Sequence, residues 1–308
     1  MKLYNTLSHQ VDELVPQDSS TVRLYVCGVT VYDNSHIGHA RTVIVFDTLR
    51  RYLMSRGYRV VFIQNFTDID DKIINRAKAE GRTAEEISEK YIDSYFRDFG
   101  RLNVLPADRH PKATEHIKDI IELIDGLMKK GHAYLTLNGV YFRVRSFPEY
   151  GKLSRKPVEE LESGARIEVD PSKEDPLDFA LWKFYSEEPV WSSPWGKGRP
   201  GWHIECSAMS LKYLSPSPFE IHGGGHDLVF PHHENELAQS SALDRRFAHV
   251  CLQLLVRRAL GDSCLRVLDE LQEVVRAEIP TRGTANSKGV ELCHGRALIE
   301  RRGRRCGR

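Results

Sequence analysis

The fold is decided by one continuous stretch, Val22-Arg23-Leu24-Tyr25-Val26-Cys27-Gly28-Val29-Thr30-Val31-Tyr32-Asp33-Asn34-Ser35-His36-Ile37-Gly38-His39. Its apolar first part predicts a buried strand, and the amphipathic segment that begins near His39 predicts a helix. A helix that begins just after a strand presents unpaired backbone N–H groups and the positive end of its dipole, which suit a phosphate group. The stretch therefore predicts an α/β fold with a phosphate-binding loop.

The side chains of this stretch suit a binding loop. Cys27 ends the predicted strand, so it should face the crevice above the carboxyl ends of a parallel sheet. His36 and His39 flank Gly38, where a missing side chain lets the backbone approach a polyphosphate. Each feature is weak alone, because a strand-end cysteine is commonly packed in a core and a short histidine pair arises by chance. The rest of the chain has to decide between these explanations.

The composition is that of a globular protein. Of 308 residues, 41% are hydrophobic and 28% are charged, which allows one large α/β domain or two smaller ones. No apolar run approaches the roughly 20 residues that span a bilayer, and Met1-Lys2-Leu3-Tyr4-Asn5 is not typical of a signal peptide. We therefore expect a cytoplasmic protein that does not contact a membrane.

Charge and composition change abruptly after Val250. Residues 251–308 hold 12 Lys and Arg against 7 Asp and Glu, and they contain four of the six cysteines. A change of reading frame or a truncation would produce such a tail, whose sequence has not been selected to fold. Alternatively, the tail is a divergent basic module that contacts nucleic acid. We favour the first explanation, because an arginine-rich sequence without aromatic residues is a poor surface for RNA.

The order of elements after the opening strand predicts a βαβ unit. Residues 40–53 have helical spacing, and residues 58–66 form the β-branched and aromatic run of a buried parallel strand. The connection between the two strands should be right-handed. Thr67 or Asp68 is expected to cap the helix that follows.

The middle of the chain predicts an insertion into this fold. A β-hairpin is expected to turn at Asn138-Gly139. Residues 150–195 are rich in Pro, Glu, Lys and Ser and show little periodicity, so we expect a lid or a partner surface there. Order returns at residues 201–209, which predict a helix.

Four side chains with metal-binding chemistry lie in separate parts of the chain. His232 and Glu236 are four residues apart, so a helix places them on one face. Cys27 and Cys206 are expected in a reducing compartment, which favours metal binding or plain burial over a disulfide. Two thiolates, one imidazole and one carboxylate form a donor set that suits zinc. Surface acids and core cysteines would explain the same residues separately, and we favour the single zinc site.

Such a zinc site would recognise a thiol. A zinc ion with a displaceable ligand can bind an incoming thiolate, whereas a hydroxyl neither ionises near neutral pH nor suits this zinc as well. An ordinary pocket separates two similar groups by only about 1–3 kcal/mol. Such a site therefore offers a physical route to choosing cysteine over serine.

A glycine-rich segment lies between the two halves of the metal set. Gly223-Gly224-Gly225 follows a short predicted strand and would let an adenine or a ribose approach. Asp227 could accept hydrogen bonds from ribose hydroxyls. A glycine triplet is commonly just a turn, and only its place between the metal residues favours a nucleotide site.

Together these motifs resemble those of the cysteinyl-tRNA synthetase family, which is a class I family. The resemblance covers residues 1–250 and rests on motifs in the family order: Cys27-Gly28-Val29-Thr30-Val31-Tyr32-Asp33, His36-Ile37-Gly38-His39, Asn65-Phe66-Thr67-Asp68-Ile69-Asp70-Asp71-Lys72, Gly201-Trp202-His203-Ile204-Glu205-Cys206, His222-Gly223-Gly224-Gly225 and Pro231-His232-His233-Glu234-Asn235-Glu236. It implies a Rossmann-like catalytic domain with a parallel sheet, interrupted by an α+β insertion. The implied units are the first half of the catalytic domain (1–112), the connective insertion (113–200), the second half (201–250) and the divergent tail (251–308).

The resemblance also implies a role for each matching residue. The zinc ligands would be Cys27, Cys206, His232 and Glu236. The catalytic residues, which contact the ATP phosphates, would be His36 and His39, and the adenosine would lie against Gly225 and Asp227. The cysteine pocket would be formed by Cys27, Gly28, Thr67 and Trp202.

The implied reaction has two steps. The carboxylate of zinc-bound L-cysteine attacks the α-phosphorus of ATP in line, and the terminal adenosine of tRNA(Cys) then accepts the cysteinyl group. No protein side chain is a nucleophile, so catalysis rests on positioning and on charge stabilisation by imidazoles, a helix dipole and Mg²⁺. The resemblance thus implies one Zn²⁺ per chain, ATP with Mg²⁺, L-cysteine and tRNA(Cys), and we expect a monomer.

The chain departs from the family pattern after residue 250. At the place of the family's Lys-Met-Ser-Lys-Ser loop the sequence reads Cys264-Leu265-Arg266-Val267-Leu268, and the helical domain that reads the anticodon has no counterpart. Loss of one charge-stabilising donor costs on the order of 10²–10³ in rate, so cysteine activation is expected to be impaired. Two other functions stay open: the cysteine ligase of mycothiol biosynthesis, whose acceptor is an amino sugar, and a catalytically silent homologue that binds zinc or cysteine.

Overall fold

The computed structural model describes residues 1–156, 170–214, 218–245 and 247–254. The strands are β1 (Lys2–Asn5), β2 (Gln10–Glu13), β3 (Thr21–Val26), β4 (Arg59–Gln64), β5 (Ala133–Leu135), β6 (Gly139–Phe142), β7 (Phe179–Phe184), β8 (Trp191–Ser193), β9 (Gly196–Pro200), β10 (Ile221–Gly225) and β11 (Val250–Leu254). The α-helices are α1 (Ile37–Ser55), α2 (Asp71–Glu80), α3 (Ala84–Arg101), α4 (Ile117–Lys129), α5 (Trp202–Tyr213) and α6 (Glu234–Ala242).

Four parallel strands form the central sheet in the order β11-β10-β3-β4. Helix α1 connects β3 to β4 and packs Phe46 and Leu53 against Leu24 and Val26 of β3. A parallel sheet with crossing helices is the core of a Rossmann-like domain, so the predicted fold class is confirmed. Because β3, β4 and β10 are parallel, their carboxyl ends lie at the same edge of the sheet. The side chains that follow these strands therefore lie close together.

Two helix starts are fixed by side chains that accept backbone hydrogen bonds. His36 caps α1, and Asp70 caps α2. The expectation that Thr67 or Asp68 caps α2 is therefore wrong. Thr67 still belongs to the extended backbone beyond β4, and the buried carboxylate of Asp68 accepts hydrogen bonds from the backbone and hydroxyl of Thr114.

A second sheet is antiparallel and has the strand order β5-β6-β7-β9-β8. The predicted hairpin at Asn138-Gly139 is confirmed, because β5 pairs directly with β6. Residues 150–195 contain more regular structure than their sequence indicates, since β7 and β8 both lie there. Strand β7 buries Leu181 and Trp182, but its six residues are flanked by polar and proline-containing segments that hide the pattern.

Strand β11 crosses the predicted boundary after residue 250 and pairs with β10 from Val250 to Leu254. The rest of the predicted tail, residues 255–308, lies outside the described residues, as does the segment Cys264-Leu265-Arg266-Val267-Leu268. The domain boundaries stay predictions. Within the described part of the chain, none of the helices has both the length and the apolar character needed to cross a membrane.

Candidate metal and nucleotide site

Four buried side chains from separate elements converge at the carboxyl edge of the central sheet. Cys27 directly follows β3, Cys206 lies in α5, His232 lies in the turn before α6, and Glu236 lies in the first turn of α6. Their ligand atoms all lie within 4.8 Å of one another, and none of the four side chains belongs to an exposed residue. These are the four residues for which the sequence predicts zinc binding.

Glu236 is the hub of this cluster. Its Oε1 accepts a hydrogen bond from the Cys27 thiol at 3.1 Å and lies 3.1 Å from His232 Nε2. His232 stands before the regular helix, because the backbone at Phe230 is extended (φ −135°, ψ 131°) and α6 begins only at Glu234. The four-residue spacing nevertheless brings His232 and Glu236 together as a helix would.

The charges of the cluster stabilise one another. Burial opposes ionisation of Glu236, but His222 and His232 hold the pKa of its carboxyl well below the usual range. Burial alone would lower the pKa of His232, yet Glu236 and Cys206 outweigh it and raise that pKa to about 10. The neighbouring Cys27 side chain lowers the pKa of Cys206 to about 6, while burial and Cys206 raise the pKa of Cys27. Four ionisable side chains buried together are stable only when they pair with each other or bind a metal ion.

The donor set fits zinc. It offers two sulfur atoms, one imidazole nitrogen and one carboxylate oxygen, which is a set of four for a tetrahedral ion. The nitrogen of His232 that does not face Glu236 lies 2.9 Å from Nδ1 of His203. A partner on the second ring nitrogen is the usual way in which a protein orients a histidine ligand.

Sequence reasoning missed two histidines of this site. His222 Nε2 lies 3.1 Å from Glu236 Oε2 and 3.7 Å from the sulfur of Cys27. Cys27, His222, His233 and Glu236 form a second set of ligand atoms within 4.8 Å, which overlaps the first. His233 directly precedes the regular helix, which begins at Glu234. The one sequence signal for His222 is that it directly precedes the glycine triplet.

The two histidines of the phosphate loop lie at the start of α1. Their rings stack with centroids 3.8 Å apart, and His36 Nδ1 accepts the Gly38 N–H at 3.1 Å. Burial and the neighbouring His36 lower the pKa of His39 to about 4, although Asp227 opposes this shift. His39, predicted to contact the phosphates, therefore lies close enough to Asp227, predicted to contact the adenosine, for their charges to interact. His39 lies in the first turn of α1.

The glycine-rich strand leaves no room for side chains. A Cβ at Gly224 would lie 2.6 Å from the ring of His233, and a Cβ at Gly225 would lie 2.3 Å from Asp227 Oδ1. Gly225 ends β10, and Asp227 lies in the turn that follows. Close packing against the His233 ring therefore requires glycine at position 224, whereas the Asp227 carboxylate can rotate away from a side chain at position 225.

Two residues predicted for the cysteine pocket lie close to the metal cluster. The ring of Trp202 lies 4.3 Å from the ring of His232, and 39% of Trp202 is exposed. Gly28, the residue after Cys27, donates its N–H to Asn65 Oδ1 at 2.9 Å. Thr67 is bound to the same loop through its backbone, since its N–H donates to the carbonyl of Val29 at 3.1 Å. Trp202 and the loop that follows Cys27 therefore lie beside the buried cluster of possible metal ligands.

Comparison with known protein families gives one match. A family model described as the catalytic domain of class I (C) tRNA synthetases matches residues 13–254. The chain is 58% identical over 243 residues to the Cysteine--tRNA ligase of Pelotomaculum thermopropionicum, a match that covers 79% of this chain and 50% of that protein. The same enzyme of Carboxydothermus hydrogenoformans is 59% identical over 243 residues, with 79% and 52% covered. The chain spans about half the length of these curated relatives.

A solved structure shares the fold. The Mycobacterium tuberculosis methionyl-tRNA synthetase in complex with methionyl-adenylate superimposes with a TM-score of 0.60 over 77% of this chain and 57% of that chain. The identity is 15%, so this similarity concerns the fold alone.

Proposed function

Because the chain belongs to the family of class I (C) tRNA synthetase catalytic domains, we propose that it activates L-cysteine with ATP and transfers the cysteinyl group to tRNA(Cys). The observation that supports this most is the convergence of Cys27, Cys206, His232 and Glu236 in one buried cluster. No other part of the described chain combines two sulfurs, an imidazole and a carboxylate at such distances. This cluster stands beside a helix N-terminus that suits a phosphate.

The metal cluster is proposed to select the substrate by its sulfur. Cys27, Cys206, His232 and Glu236 would hold one zinc ion, which when bound offers a coordination position that a thiolate takes in preference to a hydroxyl. Trp202 lies against His232 at the half-open side of the cluster and would close the pocket around the small cysteine side chain. Gly28 and Thr67, which line the loop after β3, would face the amino acid backbone, with Thr67 near the amino group.

The start of α1 is proposed to bind the phosphates of ATP. The dipole of this helix favours negative charge, and His36 and His39 stand at its start, where the His36 ring accepts the N–H groups of Gly38 and His39. Since the pKa of His39 lies near 4, its ring is neutral at pH 7 and can donate one hydrogen bond without adding a positive charge. Gly225 and Asp227 would contact the adenosine, and Mg²⁺ would accompany the phosphates as in other phosphoryl transfers.

In the proposed reaction the protein supplies position and charge stabilisation. The carboxylate of the held cysteine attacks the α-phosphorus in line, pyrophosphate leaves, and the terminal adenosine of the tRNA then takes the cysteinyl group. We propose a monomer that works in the cytoplasm, where its substrates are.

The experiment is cysteine-dependent exchange of labelled pyrophosphate into ATP, together with elemental analysis of the purified full chain. We expect about one zinc per chain and exchange with cysteine that is at least about 10³-fold more efficient than with serine, since a pocket without metal gives far less. Protein without zinc, or exchange that does not distinguish the two amino acids, would contradict the proposal.

Two alternatives follow from particular observations. The sequence contains no Lys-Met-Ser-Lys-Ser, and the family match ends at residue 254, which favours a silent zinc- or cysteine-binding homologue. Bound zinc and measurable cysteine affinity without any pyrophosphate exchange would support it. A mycothiol-type cysteine ligase would exchange pyrophosphate but would use glucosaminyl-inositol rather than tRNA as the acceptor, so an assay with both acceptors distinguishes it.

A further inference from the structure

A narrow crevice lies beside Trp202, between the start of α2, strands β7 and β9, and the first turn of α5. Its volume is about 70 Å³, which is room for a group of only a few non-hydrogen atoms. The charged side chains that line it are those of Asp70, Asp71, Lys183, Arg199 and Glu205. The crevice therefore suits a small charged group better than an apolar one.

The carboxyl of Glu205 is a deeply buried polar group of this crevice. Glu205 is only 1% exposed, and among the described residues its Oε2 has no hydrogen-bond partner. The side chain of Thr67 donates a hydrogen bond to the same carboxyl. A buried carboxylate is stable only when a cation or further donors surround it. The crevice therefore leaves a place for one cation or donor next to Glu205.

The other two acidic groups of the crevice have partners. Asp70 Oδ1 accepts the Lys72 N–H at 2.8 Å and so caps α2. Asp71 Oδ1 lies 3.2 Å from Nη2 of Arg199. Within the described part of the chain, Glu205 is therefore the acidic residue of this crevice that is both buried and incompletely paired.

Glu205 and one residue of the metal cluster lie on the same face of α5. Trp202, Glu205 and Cys206 occupy positions i, i+3 and i+4 of this helix, so their side chains lie on one side of it. Trp202 also lines the crevice, and the centroid of its ring lies 4.3 Å from that of the His232 ring. A small molecule whose sulfur is held at the metal cluster would therefore have its other polar groups close to the crevice.

Among the three substrates of the proposed reaction, only the amino acid carries a positive charge, on its α-ammonium group. We propose that the Glu205 carboxylate binds this ammonium group through Oε2, while Thr67 holds the carboxylate in place. Glu205 is thus a substrate-binding residue that selects for a free amino group, whereas the metal cluster selects for sulfur. This inference rests on the proposed function, because it requires L-cysteine to bind at the metal cluster.

Glu205→Gln is the first variant, because it keeps the size of the side chain and an oxygen for Thr67 but removes the negative charge. Glu205→Asp is the second variant, since it keeps the charge and withdraws it by one methylene. The matched control is Glu220→Gln. Glu220 is also buried, but its carboxylate accepts the backbone N–H of Arg23 at 2.8 Å and the Nε–H of Arg23 at 2.9 Å.

The measurement is the binding of two thiols to the zinc-loaded full chain by isothermal titration calorimetry. One thiol is L-cysteine, and the other is 3-mercaptopropionate, which is cysteine without its amino group. The ratio of the two dissociation constants is compared between each variant and the wild type, so that the different acidities of the two thiols cancel. Zinc content and thermal unfolding are followed on the same samples.

We expect Glu205→Gln to raise the dissociation constant of L-cysteine by about 10- to 100-fold, because a charge-assisted hydrogen bond is lost. Glu205→Asp should raise it by a smaller factor. Neither variant should change the dissociation constant of 3-mercaptopropionate or the zinc content. Glu220→Gln should unfold at a lower temperature, because it weakens a buried ion pair, and it should bind both thiols as the wild type does.

Glu205 variants that weaken the binding of both thiols equally, or of neither, would overturn the inference, since a purely structural role does not depend on the amino group of the ligand. If Glu205→Gln fails to fold, Glu205→Asp decides by the same ratio. A wild-type chain that binds no zinc, or that binds neither thiol, is a different result, because it contradicts the proposed function itself.

Discussion

Gly28 lies so close to Asn65 that a Cβ at position 28 would stand 1.6 Å from the carbonyl oxygen of Asn65. Gly28→Ala therefore has to push the loop after β3 away from the end of β4, and Cys27 moves with it. We expect a loss of about 3 kcal/mol in the free energy of unfolding, together with weaker zinc binding. Urea unfolding and zinc titration measure the two effects.

Gly100→Ala is the control for that variant. Gly100 lies in α3, and a Cβ there meets nothing within 4 Å. Because alanine is the better helix former, this change should stabilise the protein by about 0.5–1 kcal/mol. If both alanine variants behaved alike, the close approach of Gly28 to Asn65 would not be a constraint on the site.

Cys206→Ala should abolish stoichiometric zinc binding, whereas Cys251→Ala should not. Both residues are buried in one apolar cluster, and each change deletes one sulfur atom, but only Cys206 belongs to the metal set. We expect the zinc dissociation constant of Cys206→Ala to rise by more than about 100-fold, which exceeds the effect of losing an outer-shell partner. Elemental analysis after dialysis checks this, and equal zinc content in the two variants would contradict it.

The stability of the protein should fall as the pH falls from about 6.5 to about 4. Burial lowers the pKa of His39 and of His110 to about 4 each, while a histidine in the unfolded chain titrates near 6.5. In this window the unfolded chain binds protons that the folded chain excludes, so protonation favours unfolding as the pH decreases. Urea unfolding across the window measures the slope.

His110→Gln isolates one of these two groups. The His110 Nε2 accepts the Ala107 N–H at 3.1 Å, and a glutamine oxygen can take over that role without titrating. We expect the variant to lose less stability than the wild type between about pH 6.5 and pH 4, and the two curves to run in parallel above about pH 7. Parallel curves over the whole range would show that His110 does not contribute.

Glu234→Gln should loosen the turn at residues 151–154. The Glu234 carboxylate is fully buried and accepts the N–H groups of Gly151 at 3.0 Å and Ser154 at 2.8 Å. A glutamine would place its own NH₂ group, a donor, against one of these N–H donors. We expect a cost of about 1–3 kcal/mol and faster hydrogen exchange at these backbone amides.

Glu149→Gln is the matched control for this change. Glu149 is exposed and pairs with Lys152 at 2.9 Å, and such a surface pair contributes no more than about 1 kcal/mol. Unchanged amide exchange at residues 151–154 in Glu234→Gln would mean that Glu234 does not hold the turn.

Much of the site could be predicted because its chemistry is explicit in the residue types. A cysteine at a strand end and a histidine four residues before a glutamate predict where ligands come from, and the direction of parallel strands predicts that they meet. The role of His222 could not be predicted in this way. Its approach to Glu236 depends on how β10 lies against α6, a distance that no local pattern encodes.

The sequence misled where local signals compete. Thr67 and Asp68 are good capping residues, but the extended backbone beyond β4 continues through Thr67, whose N–H and carbonyl bond the loop after β3. The cap therefore moves to Asp70. Strand β7 was not predicted because it has only six residues between polar segments. That is too few for an alternating pattern of buried and exposed residues to be recognised.

The contact between Cys27 and Glu236 joins residues that are 209 positions apart, which fixes when a metal ion can be captured during protein synthesis. At about 5–20 residues per second, a ribosome adds Glu236 roughly 10–40 seconds after Cys27. During that interval β3 and β4 can already pair, and until Cys206 is added the Cys27 thiol is the only one of the four side chains that the nascent chain offers. The proposed zinc site can therefore be completed only late in synthesis, so zinc binding would follow the pairing of β3 with β4.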